Sequence, residues 1–186
     1  MNALEKAIGS FLIAALSIAC GKQSTGAPGS RSSALASSES GDHVQSATGH
    51  IEFIGRQGAD NWYSFSAIKR IDAETGEETV SGEVEYHSLQ ADGNFIIAHG
   101  DVICLTVAVN VARVGVVADF ARNLPNPGPG WAYFTVVDNG EGADAADMGS
   151  NLFLTTEAGA QQHCATGHVP APPIFETQRG NVQVRD

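Results

Sequence analysis

Val80-Ser81-Gly82-Glu83-Val84-Glu85-Tyr86-His87-Ser88 alternates apolar and polar residues with a period of two. Val80, Gly82, Val84 and Tyr86 fall on one side; Ser81, Glu83, Glu85 and His87 fall on the other. That is the pattern of a strand in a sheet with one buried and one wet face. Residues 111–120 repeat it, with Ala112, Val114, Val116, Ala118 and Phe120 opposed to Arg113, Gly115 and Asp119.

Working outward, strands are predicted at 49–55, 61–71, 94–110 and 131–138, with later ones at 151–155 and 181–185. The stretch 94–110 is long enough to bend or split at Gly100. Asp92-Gly93 reads as a tight hairpin and residues 74–77 as a slightly longer one. Residues 123–130 carry three prolines and read as an open loop, because proline removes backbone donors and fixes φ. Successive hairpins without βαβ spacing predict an antiparallel meander. The expected fold is therefore all-β: a small antiparallel barrel of about seven or eight strands, with a sandwich as the alternative. Closure is the commoner way of hiding strand edges. Apart from the N-terminal segment, no long run has apolar residues at helical spacing.

The net charge of −11 and the ten Lys and Arg argue against nucleic acid, since phosphate neutralisation supplies most non-specific affinity. An acidic chain suits cations or a basic partner better.

Residues 7–19 form an uncharged, mostly apolar run behind Lys6 and the amino terminus. Thirteen helical residues reach only about 20 Å, short of a hydrocarbon core of ~30 Å, so the run reads as a signal-peptide core. It ends in Leu16-Ser17-Ile18-Ala19-Cys20, which resembles the lipobox of bacterial lipoproteins. That resemblance implies a diacylglycerol on the Cys20 thiol and a mature chain starting there. Ser17 departs from the usual Leu, and Leu16 lies one place early. Residues 21–47 hold eight serines and, as large apolar residues, only Leu35 and Val44. Such a segment cannot offset its ordering entropy and reads as a flexible linker spanning roughly 30 Å. The expected organisation is a signal peptide at 1–19, a lipidated Cys and linker at 20–47, and one β domain at 48–186.

With Cys20 lipidated, Cys104 and Cys164 remain, an even number in an oxidising compartment. A bridge between them would close about 60 residues and stabilise by roughly 4 kcal/mol. The competing reading makes Cys104 a small buried hydrophobe.

Residues 80–87, 99–107, 131–142 and 176–185 together resemble, in order, a group of uncharacterised bacterial exported and lipid-anchored β-domain proteins. The resemblance implies a compact β domain on secreted or lipid-anchored chains. It brings no activity with it.

Candidate sites follow from residue chemistry. Asp138-Asn139-Gly140-Glu141-Gly142-Ala143-Asp144-Ala145-Ala146-Asp147 offers oxygen donors for Ca²⁺ from Asp138, Asn139, Glu141, Asp144 and Asp147. The spacing does not match an EF-hand, and acidic glycine-rich turns are usually only solvated. Glu83, Glu85 and His87 share a strand face, with His99 across the next turn; these suit a metal or an acid/base pair, or simply a water face. His163, Cys164 and His168 make a thin metal set. Trp62, Phe65, Tyr86, Trp131 and Tyr133 lie on predicted strands and would either fill the core or line an apolar ligand cavity. Nucleophile, zinc and phosphate-loop motifs are absent from the sequence. No cofactor is expected beyond a Ca²⁺ ion. The reading is a lipid-anchored cell-envelope domain, non-enzymatic, with an unspecified protein or small-molecule partner. The alternatives are a small-ligand carrier with an apolar barrel interior and, third, an enzyme.

Overall fold

A computed structural model describes residues 41–121, 129–141, 146–167 and 171–186. Residues Glu39–Asp186 form one compact unit. The expected signal peptide, Cys20 and most of the expected linker lie outside the described residues, as do residues 123–128 of the proline-rich loop.

Six strands follow one another as hairpins: β1 (His43–Ile54), β2 (Asp60–Ile71), β3 (Glu78–Leu89), β4 (Phe95–Ala108), β5 (Val111–Ala121) and β6 (Pro129–Val137). Three three-residue strands, β7 (Met148–Ser150), β8 (Phe153–Thr155) and β9 (Ile174–Glu176), flank one helix, α1 (Glu157–Thr166). The chain returns in β10 (Arg179–Arg185) to pair with β1. The order across the sheet is β10-β1-β2-β3-β4-β5-β6-β7-β9, with β8 also on β6, and every pairing is antiparallel. The sheet curls into a half-barrel, in keeping with the expected all-β antiparallel barrel of about seven or eight strands; seven of its ten strands have seven residues or more.

The domain starts earlier than composition predicts. Residues from His43 onward already pair with β2, because the polar stretch His43–Ala47 carries Gln45 and Ala47 on the buried face. Among the turns, Asp72 Oδ1 accepts the Glu74 and Thr75 amides in the β2–β3 hairpin. Gly93, at φ 83°, turns β3 into β4.

Period-two alternation sends Ile51, Phe53, Tyr63, Phe65, Val84, Tyr86, Ala98, Val114, Val116, Phe134 and Val136 into one core. Tyr63 lies at its centre, 5.0 Å from the Phe134 ring and 4.7 Å from Tyr86. Burial holds the Tyr63 phenol well above its ordinary pKa, with Tyr86 adding to the shift. Its hydroxyl is satisfied by the Ser150 carbonyl at 3.0 Å.

The long strand β4 does not break at Gly100. It carries a bulge between Val102 and Cys104, where the register to β5 shifts by one residue. Before the bulge Val102 opposes the inward Val116; after it Leu105 opposes the inward Val114. The extra residue, Ile103, therefore moves Cys104 to the outer face, opposite Gly115.

That phase change seats the helix. A Cβ on Gly115 would lie 2.5 Å from Cys104 Sγ and 3.3 Å from the Ala160 Cβ of α1, so only glycine admits the helix this close. The Cys104–Cys164 disulfide then joins β4 to α1, with 6.1 Å between Cα atoms. The sequence pattern does not predict this helix. Its buried stripe is Ala160, His163 and Cys164, too small and polar to register as an apolar face. Local signals were present: Thr156 caps the helix by accepting the Gly159 amide, and Gly167 follows its end.

Candidate functional site

The outer face of β1–β4 is built by register. One cross-strand row aligns Glu52, Trp62, His87 and Ile97; the next aligns Ile54, Asp60, Leu89 and Phe95. A third aligns His50, Ser64, Glu85, His99 and Asp119.

Trp62 stacks on the His87 imidazole, with ring centres 4.9 Å apart and planes inclined by 25°. Phe95 completes the cluster at 5.6 Å from Trp62 and 5.7 Å from His87. Ile54 and Leu89 beside it are more than a third exposed. His87 is fixed from its own strand by Glu85, whose Oε1 lies 2.7 Å from Nε2. That hydrogen bond and the electrostatic pull of His87 hold the Glu85 carboxyl below its ordinary value, with His99 adding a smaller pull.

On the β1 side of the Trp62 ring lies a pocket of about 450 Å³ lined by His50, Glu52, Phe53, Ile54, Asp60, Asn61, Trp62 and Gln178. Glu52 is directly opposite Trp62 in register and carries a long ion pair, 3.9 Å, to the exposed Arg179. The Gln178 amide donates to the Glu52 carbonyl at 2.7 Å and brings the β9–β10 turn to the pocket's rim.

The five aromatics read as cavity-lining residues separate. Phe65 and Tyr86 face inward. Trp62 faces outward, as does Trp131, 37% exposed on β6. Tyr133 is buried beneath α1, stacked on His163 at 4.3 Å and on Phe153 at 5.6 Å. Inside the half-barrel, Phe53, Tyr63, Phe65 and Phe134 pack on one another. At the mouth a pocket of about 210 Å³ is lined by Arg56, Tyr86, Gln90, Ile96 and residues 151–154. The sequence carried a signal for Trp62: it shares its parity with Asp60, Ser64 and Ser66, the polar side of β2.

The carboxylates of the acidic loop that are described accept backbone amides. Asp147, almost fully buried, accepts the Val182 amide through Oδ2 at 2.6 Å and the Asn139 amide through Oδ1 at 2.9 Å. Asp138 accepts the Val184 amide at 2.9 Å and the Gly140 amide at 2.8 Å. Val182 and Val184 lie on β10, which pairs with β1 along its other edge, so two carboxylates stand where a neighbouring strand would be. Asn139 Nδ2 donates to the Ala146 carbonyl, and Glu141 accepts from Asn181 Nδ2 at 3.3 Å. Asp144 lies outside the described residues. Among the described residues, no group of three or more His, Cys, Asp or Glu is placed to hold a metal ion.

Glu83, Glu85, His87 and His99 do share one face, and Glu85 pairs with His99 across β3 and β4. They stand on the solvated side, beside a shallow pocket of about 220 Å³ that also includes Ser64 and Ser66. His163 is buried at the α1–β6 contact. Its Nε2 lies 3.2 Å from the Phe134 carbonyl oxygen. Thr135 Oγ1 is 3.1 Å away. Cys164 is in the disulfide, and His168 lies outside the described residues. Among the described residues, no helix is long and apolar enough to cross a membrane.

Comparison of the chain with family models, with curated proteins and with solved structures finds no match.

Proposed function

We propose that the chain is a non-enzymatic binding domain of the cell envelope, exported and held at a membrane by a lipid on Cys20. It engages its ligand through the outer face of β1–β4 around Trp62. The Cys104–Cys164 disulfide supports export, because such bonds persist in oxidising compartments. The lipid rests on Leu16-Ser17-Ile18-Ala19-Cys20 and on the serine-rich stretch behind it.

The observation that carries the binding reading is the placement of the Trp62 indole on the wet face, between a ring stack and a pocket of about 450 Å³. Burying an aromatic ring contributes about 25 cal/mol for each Å² removed from water, so a fold gains by taking its rings inside. A cluster left outside, rimmed by polar groups and next to a concavity of small-molecule size, is the signature of a contact surface. The non-enzymatic reading rests on the setting of the titratable groups. Glu83, Glu85 and His99 stand exposed, away from the desolvated environment that tunes acids and bases for catalysis. The carrier reading has less support, since the inward rings fill the interior and the mouth pocket is smaller than the ~300 Å³ at which ligand sites usually begin.

Equilibrium unfolding of Trp62→Ala beside Tyr63→Ala tests this reading. Removing the inward ring should destabilise by about 3–5 kcal/mol. A Trp62 ring kept for contact should lose only its stacking, about 0.5–1.5 kcal/mol. Equal losses would make Trp62 a structural residue and overturn the reading.

A further inference from the structure

Resting on that reading, we infer that the pocket beside Trp62 takes a small organic cation, an alkylammonium group seated on the indole between Glu52 and Asp60.

Three observations converge on that chemistry. First, His87 stacks on Trp62 from the β3 side, while the pocket's residues His50, Glu52 and Ile54 come from β1, on the other side of the ring. The indole thus stacks on His87 and also lines the cavity. The face of an indole attracts a cation through its quadrupole, more strongly than any other side-chain ring.

Second, the two formal charges supplied by carboxylates at this pocket are negative. Glu52 stands opposite Trp62 and Asp60 lies two positions before it on the same strand face. The neighbouring cation, Arg179, approaches Glu52 only to 3.9 Å from an exposed position. A rim pair of this kind is worth little and yields to a better-placed ammonium. His50 and Gln178 supply the remaining polar contacts, and Ile54 supplies apolar surface for the methylenes or methyls of the ligand.

Third, the chain as a whole carries a charge of −11, so its field concentrates cations and repels carboxylates and phosphates. A cavity of about 450 Å³ suits a molecule of metabolite size. A small ammonium metabolite is therefore the occupant assigned here. A lysine side chain presented by a protein has the same head group and is distinguished by the test.

The test titrates the purified full chain carrying Trp131→Phe, which leaves Trp62 as its single indole, and reads its fluorescence. The probes are choline, its uncharged isostere 3,3-dimethylbutan-1-ol, and Nα-acetyl-lysine methylamide. Choline should quench or shift the emission saturably, at least tenfold more tightly than the isostere. Trp62→Phe, read by NMR, should weaken choline roughly fivefold to tenfold. The pair Glu52→Gln and Asp60→Asn, which keeps the indole and the side-chain shapes, should weaken it about as much and flatten its dependence on salt. If the lysine probe binds tenfold better than choline, the small-metabolite assignment falls. Equal binding of choline and the isostere overturns the cation assignment while leaving the outer face a binding surface. No binding of either charged probe overturns it as well, and the unfolding comparison of Trp62 with Tyr63 then stands as the separate test of the face itself.

Discussion

The Val182 amide donates to the Asp147 carboxylate at 2.6 Å, across 35 positions of sequence. With Asp138 and the Val184 amide, 46 positions apart, it finishes the free edge of β10. An open edge offers a row of unpaired donors to any other chain. Here two carboxylates answer those donors, and each also holds an amide of its own loop. The loop from β6 to β7 is thereby tied to the last strand of the chain.

Asp147→Asn should destabilise the domain by about 1.5–3 kcal/mol, the worth of hydrogen bonds to a charged group. The amide keeps one acceptor oxygen but turns its NH₂ toward a backbone N–H. Asp138→Asn, at a more exposed position, should have the smaller effect. Chemical denaturation of the two variants checks the order, and amide exchange at Val182 and Val184 should accelerate in each.

Gly115→Val should push α1 off the sheet, since even a Cβ would stand 2.5 Å from Cys104 Sγ. We expect a loss of about 1–3 kcal/mol, the usual effect of overpacking, together with incomplete disulfide formation. Counting alkylatable thiols in the unfolded protein measures the second effect: a fully bridged variant would contradict the packing described.

Glu85 should titrate below the ordinary carboxylate value of 4.5 in the folded protein. Because the folded value is the lower one, the contribution of its contact with His87 is present above the unfolded value. It is lost as pH falls through the folded one. In His87→Ala the Glu85 midpoint should rise toward 4.5, which a carboxyl-detected NMR titration follows directly.

Cys20→Ser should move the full chain from the membrane to the soluble fraction. Intact mass should show the wild-type chain carrying a diacylglycerol and the variant without it. Retention of the variant in the membrane fraction would contradict lipid attachment at Cys20.

The sheet was legible where parity is clean. In β3 and β5 every second residue is small or apolar, and among the described side chains both faces follow that parity. Parity fails at the β4 bulge because Val102, Ile103, Cys104 and Leu105 are all apolar, so a phase shift among them leaves no mark in the pattern. The disulfide was suggested by counting cysteines; the helix that carries Cys164 was hidden by its weak stripe. The acidic loop shows its oxygen donors in local composition, but not that Asp138 and Asp147 accept amides of β10, which arrive only at the end of the chain. Trp62 was grouped with cavity-lining rings by residue type, although the polar neighbours at Asp60, Ser64 and Ser66 already assign it to the outer face.

If the outer face of β1–β4 around Trp62 is the binding surface, protein-observed NMR with a library of small fragments will find it there. Amide shifts from independent hits should gather on Glu52, Trp62, His87 and Phe95. Hits gathered instead at the mouth, on Arg56, Tyr86, Ile96 and Leu152, or an outer face that no fragment perturbs, would contradict it.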